Sequence, residues 1–111
     1  MIRRKRRLSL QAIEILAVML EDPTADYYGL DLGKRVGVLT GTVYPLLRRL
    51  EDAGWLASAE EDIDPVAAGR PRRRLYRLTG EGERAARLEC DRVRHSLMTA
   101  HPSPSPSAGM S

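Results

Sequence analysis

The chain of 111 residues has one cysteine, Cys90, and two histidines, His95 and His101. A single cysteine excludes an internal disulfide and a cysteine-based zinc cluster. Both histidines lie near or in the C-terminal tail, and the carboxylates are scattered without a paired site. General acid–base and nucleophilic catalysis need such groups placed together, so the chain does not read as an enzyme, and no metal or cofactor is implied. There is no secretory apolar region and no apolar run of about 18 residues, which points to a soluble protein of the cytoplasm with no membrane partner. Internal repeats are absent. Lysine is scarce too, 2 against 16 arginines, a bias that suits a GC-rich genome and carries no mechanism.

Charge is present but uneven. The net charge is +3, and Arg3, Arg4, Lys5, Arg6 and Arg7 form a run at the start. The remaining chain has 13 basic and 15 acidic residues, so any affinity for a polyanion there must come from clustering. Residues 1–8 read as a basic arm, with a solubilising disordered start as its plain alternative. Residues 9–79 and 80–99 read as a folded domain and a final helix. Residues 100–111, ending in "HPSPSPSAGMS", have no apolar periodicity and are expected to be disordered.

The first helix is predicted in "SLQAIEILAVMLED", with Ser9 as N-cap. Leu10, Ile13, Leu16, Ala17 and Leu20 make one apolar face, and Leu8, Ala12, Ile15 and Met19 make a second. One stripe is the norm for a surface helix. The plain alternative is a central core helix; a domain this small has little room for one, so the second face reads as a subunit interface. A second helix is expected over about Tyr28 to Val36, with Leu32 and Val36 inward, Gly33 permitting close approach of another helix, and Gly37 free to take positive φ.

"TGTVYPLLRRLEDAGWL" carries the third helix, with Thr40 expected as its N-cap. Val43, Leu46, Leu47 and Leu50 are spaced i, i+3, i+4, i+7 and define the inner face. Gly41, Pro45, Arg48 and Asp52 lie opposite, flanked by Thr42, Tyr44 and Arg49. Near the start of a helix the missing N–H and the ring of Pro45 cost less than in its middle. Hydroxyls, a phenol and guanidinium groups at a helix N-terminus favour anions. The plainer alternative is that Tyr44 and Pro45 pack on the preceding helix.

After Gly54, "WLASAE" reads as a strand, "EDIDPVAAGRPR" as a long loop, and "RRLYRLT" as a returning strand with Tyr76 and Leu78 on one face and Arg77 on the other. The fold class is therefore mainly α with a small β-hairpin (α+β): a winged helix–turn–helix with a C-terminal dimerisation helix. Arg70, Arg72, Arg73 and Arg74 sit where a wing meets a duplex, although the acidic "EEDID" before them allows internal pairing. The expected DNA contacts are Thr40, Thr42, Tyr44, Arg48 and Arg49 on the third helix. Lys34, Arg35, Arg72, Arg73 and Arg74 add phosphate contacts, and Arg70 is a further expected DNA contact. In the last helix Ala86, Cys90, Val93 and Leu97 are spaced 4, 3, 4, a short coiled-coil-like seam that makes Cys90 a packing residue. With Leu8, Ala12, Ile15 and Met19 they are the expected dimer interface.

Taken in order and at their separation, "GTVYPLLRRLEDAGWL" and "GRPRRRLYRLTGEG" resemble the PadR-like transcriptional regulators, and "YYGLDLGKRV" is a looser match to that family's second helix. The resemblance covers about residues 8–98. It implies a winged-helix homodimer that binds double-stranded DNA at an inverted-repeat operator and usually represses nearby genes. Many members release DNA when a small molecule binds. Here one modest helix follows Gly80, where larger members carry a longer helical domain, so a small-molecule effector would have to use the dimer cleft. The alternative is a winged-helix protein-interaction module without DNA binding.

Overall fold

The computed structural model describes residues 8–100. The basic run and the Pro/Ser-rich tail from His101 onward lie outside the described residues. The elements in order are α1 (Leu10–Met19), β1 (Tyr27–Tyr28), α2 (Gly29–Val36), α3 (Thr40–Asp52), β2 (Leu56–Glu60), α4 (Pro65–Ala68), β3 (Arg74–Leu78) and α5 (Gly80–Ala100). This is a winged helix–turn–helix followed by a long C-terminal helix.

Local chemistry sets most of these boundaries. Ser9 caps α1, its Oγ accepting from the Ala12 N–H at 3.1 Å. Helix α2 stops at Gly37, where φ is 72°, and the Val38 N–H returns to the Gly33 carbonyl at 2.8 Å. Helix α3 stops at Gly54 (φ 85°), with the Trp55 N–H on the Leu50 carbonyl and the Gly54 N–H on the Glu51 carbonyl. This pairing satisfies carbonyls that the helix end would otherwise leave open. At the start of α5 the Thr79 hydroxyl accepts from the Gly82 N–H at 2.9 Å.

The sheet differs from the expected hairpin. Three antiparallel strands lie in the order β1–β3–β2, with Leu56 opposite Leu78, Ser58 opposite Tyr76 and Tyr28 opposite Leu75. Tyr28 therefore belongs to a strand rather than to α2, and two residues are too few to show an alternating pattern. The expected loop between β2 and β3 also contains α4, capped by the Asp64 carboxylate on the Val66 N–H, begun by Pro65 and ended by Gly69 at φ 71°. On β3, Tyr76 and Leu78 are buried and Arg77 is exposed, as the alternation predicts.

The core overturns the assignment of the α1 faces. Ala12, Ile15, Leu16 and Met19 are buried within this single chain, together with Leu32, Val43, Leu46, Leu47, Leu50, Leu56 and Ala86. Each fully buried Ile, Leu or Met contributes roughly 1.5–3 kcal/mol relative to exposure. The supposed interface stripe is thus the main contribution of α1 to its own core. From the other face Leu16 is buried as well, Ile13 and Leu20 are half-buried, and Leu10 and Ala17 are exposed. The physical reason is that both α2 and α5 pack on α1, so a helix covered on two sides fits inside a small domain. Gly82 seats α5 against Trp55: a Cβ there would fall on the Trp55 carbonyl oxygen, within 2.6 Å of its carbon and 2.8 Å of its Cα.

Candidate nucleic-acid interface

Helix α3 has two chemically distinct sides. Val43, Leu46, Leu47 and Leu50 are buried, whereas Thr40, Gly41, Thr42, Pro45, Arg48 and Arg49 are exposed. The burial of one side forces the other outward. Pro45 is the sixth residue of the helix, deeper than an N-terminal proline. The N–H it lacks would have pointed at the Gly41 carbonyl, and both residues are exposed, so solvent reaches that acceptor. Thr40 is not the N-cap. That position is Leu39, with no side-chain hydrogen bond, so the first N–H groups of α3 lack a side-chain acceptor. They face outward with the positive end of the helix dipole, a setting that favours an anion. Leu39 itself is 81% exposed, an apolar group at the tip that the spacing argument overlooked.

Tyr44 packs on the preceding helix, the plainer of the two roles weighed for it. Its ring packs on Gly29 at the start of α2, where a Cβ would come within 2.7 Å of Cε1. It also lines an open cleft with Arg48, Glu51, Asp52, Arg74 and Tyr76. That cleft brings the recognition-helix candidates Tyr44 and Arg48 together with the wing arginine Arg74. Helix α2 approaches α3 closely at Gly33, where a Cβ would sit 3.3 Å from Val43 Cγ1. Lys34 and Arg35 lie elsewhere, beside a depression lined by Val18, Tyr27, Asp31 and Leu32. Arg35 pairs with Glu21 at 2.8 Å, and Arg48 with Asp52 at 3.5 Å, all with exposed side chains. Such pairs contribute only about 0–1 kcal/mol, so either arginine can exchange its partner for a phosphate.

The four wing arginines do not form one cluster. Arg70 is turned inward: its two terminal nitrogens donate to the Glu61 carboxylate at 2.7 and 2.9 Å. The internal pairing that the acidic run allowed is realised at this residue. Glu61 also accepts from the Tyr28 hydroxyl at 2.8 Å and from the Arg73 N–H at 3.1 Å. The Arg70 guanidinium first, then the Tyr28 hydroxyl, hold the Glu61 carboxyl at a pKa of about 2, against the opposing pull of burial. The Arg72 Nε donates to the Ile63 carbonyl, and the Arg73 guanidinium lies 4.9 Å above the Tyr28 ring. Arg72, Arg73 and Arg74 are all exposed. Sequence reasoning missed Glu61. Strict alternation from Leu56 puts Glu60 inward, yet Glu60 is exposed and Glu61 is buried.

The proposed interface residues also divide. Ala12, Ile15, Met19 and Ala86 belong to the intrachain core. Leu8, Cys90 and Val93 are half-buried, and Leu97 is 56% exposed. Leu8, Ile13, Val93 and Leu97 line a groove between α1 and α5, rimmed by Glu89, Arg92, His95, Ser96 and Thr99. Burial pushes the Cys90 thiol up from its ordinary value, which favours a packing role over a reactive one. Among the described residues no group of three or more His, Cys, Asp or Glu could hold a metal ion. No described helix is long and apolar enough to cross a membrane.

The model of the transcriptional regulator PadR-like family matches residues 15–88. In fold the chain is similar to smu.1704 from Streptococcus mutans UA159, with 26% identity and a TM-score of 0.71 over 92% of each chain. It is similar to the PcaV transcriptional regulator from Streptomyces coelicolor, with 26% identity and a TM-score of 0.70, covering 84% of this chain and 62% of that one. The chain thus spans less than two thirds of PcaV. BpsR of Bordetella bronchiseptica, whose DNA binding is regulated by 6-hydroxynicotinic acid, shares the fold at 17% identity and a TM-score of 0.70, covering 89% of this chain and 69% of that one. No curated protein matches.

Proposed function

The chain belongs to the PadR-like family of transcriptional regulators, and from that premise we propose that it is a sequence-specific repressor that binds an inverted-repeat DNA operator as a homodimer. The observation that carries this reading is the sidedness of α3, four buried aliphatic residues against an exposed face of threonines and arginines. In this reading α3 enters the major groove, where Thr42, Arg48, Arg49 and the Tyr44 hydroxyl meet base edges. Thr40, the open N–H groups of α3, Lys34, Arg35 and Arg72 to Arg74 meet phosphates, and the basic arm adds to them. Arg70 acts as a strut within the wing.

A second copy packs on the groove between α1 and α5, covering Leu8, Ile13, Val93 and Leu97. Two-fold symmetry then presents α3 twice, and reading successive major grooves requires about 34 Å between the copies or a multiple of it. A small-molecule effector bound in that cleft releases DNA only if it favours one spacing over another, because equal affinity for both shifts nothing.

Arg48→Ala and Tyr44→Phe test the base-reading face while leaving the packing of the Tyr44 ring on Gly29 intact. A base contact is worth about 1–3 kcal/mol, so Arg48→Ala should weaken operator binding by roughly 5- to 150-fold with an unchanged melting temperature. Operator binding equal to wild type in both variants rejects the assignment of α3.

A further inference from the structure

Among the charged side chains of the domain, Glu61 has the most enclosed setting, 9% exposed at the end of β2. Its carboxylate collects donors from three separate places: the Tyr28 hydroxyl on β1, both terminal nitrogens of Arg70 in the loop, and the Arg73 N–H before β3. The Glu61 N–H in turn donates to the Arg73 carbonyl at 2.7 Å. These bonds close the loop between residues 61 and 73 at its base and tie it to the strand that leads into α2. We propose that Glu61 is a positioning residue for DNA binding, a clamp that holds the wing preformed so that Arg72, Arg73 and Arg74 reach phosphates as one set. The inference rests on the DNA-binding reading above and adds a role for a residue that touches no DNA.

Three features support the clamp. First, Arg70 is neutralised in place, so the cation nearest the clamp serves the wing and not the ligand. Second, the Arg73 N–H is held by the carboxylate while its guanidinium lies over the Tyr28 ring, and Tyr28 is held by the same carboxylate. Backbone and side chain of Arg73 therefore depend on one anchor. Third, the anchor works as an anion. All its partners are donors, and a carboxylate accepts from several at once, whereas an amide in its place would turn an N–H₂ group toward one of them. A loop ordered before binding does not have to be ordered by the ligand, which is the physical benefit of such preorganisation.

Glu61→Gln in the full chain tests the clamp, with Arg70→Met as the second variant should the first fail to fold. Backbone hydrogen exchange should accelerate over residues 61–73 while α1 and α3 keep wild-type protection. Sedimentation should show an unchanged oligomeric state. Against duplex DNA, the slope of log Kobs on log salt should flatten by about 2, the loss of two to three phosphate contacts at about 0.9 each. The double variant should lose no more than either single one. Wild-type binding with an unchanged slope in the variants overturns the inference alone, as does faster exchange spread evenly over the whole domain. A wild-type chain that binds no duplex at any salt overturns the DNA-binding reading and the inference together.

Discussion

Gly82 and Gly41 both lie in helices, and helix propensity alone predicts that alanine would stabilise either by about 1 kcal/mol. Their surroundings predict opposite outcomes. At Gly82 the added Cβ meets the Trp55 backbone, 2.6 Å from the carbonyl carbon and 2.8 Å from Cα, and backbone cannot rotate aside. Helix α5 must move away from the β2 entrance, loosening the burial of Ala86 and the packing of α5 on α1. Overpacking of this kind costs about 1–3 kcal/mol and sometimes more. After the propensity gain, a net loss of up to about 2 kcal/mol remains. For a domain of this size that lowers the melting temperature by up to about 16 °C. At Gly41 an added Cβ meets nothing within 4 Å, so alanine should raise the melting temperature by several degrees, as about 0.5–1 kcal/mol would. Thermal melts by circular dichroism at one fixed protein concentration check both, since association shifts the midpoint. A Gly82→Ala variant that melts at or above wild type refutes the docking of α5 on Trp55.

Two further outcomes follow from the same geometry. The Glu61 carboxyl has a pKa of about 2 in the fold against 4.5 unperturbed, so its stabilisation is complete above about pH 4.5 and is lost as pH falls toward 2; acid titration of Arg73 amide exchange should show this window, and Glu61→Gln should abolish it. Val93→Asp puts a charge into the groove between α1 and α5 and should yield monomers with weakened DNA binding; a variant that stays dimeric in sedimentation places the interface elsewhere.

What the sequence reveals here is mostly what short-range physics decides. The Ser9 cap, the inner face of α3, the stops at Gly37 and Gly54 and the inward pair Tyr76 and Leu78 depend on neighbours a few residues away. Two errors have a different origin. Which side of α1 is core depends on α2 and on α5, the latter some 70 residues later, and both apolar stripes of α1 have the right spacing. The inward turn of Glu61 depends on Tyr28 and Arg70, and its neighbour Glu60 carries the same carboxylate. Strand β1 and helix α4 are too short for a period to show, although Asp64, Pro65 and Gly69 carry the capping chemistry of a helical turn. For the candidate interface, the exposed face of α3 is legible, while the separation of Arg70 from Arg72 to Arg74 is not.

The central claim is that the exposed faces of two α3 helices read one symmetric DNA site. Selection of bound sequences from a random duplex pool by the purified full chain tests it most directly. The wild-type chain should enrich an inverted repeat whose half-site centres lie about 10 base pairs apart or a multiple of that, and Arg48→Ala should fail to enrich it. A wild-type pool that stays as random as the input would contradict the account.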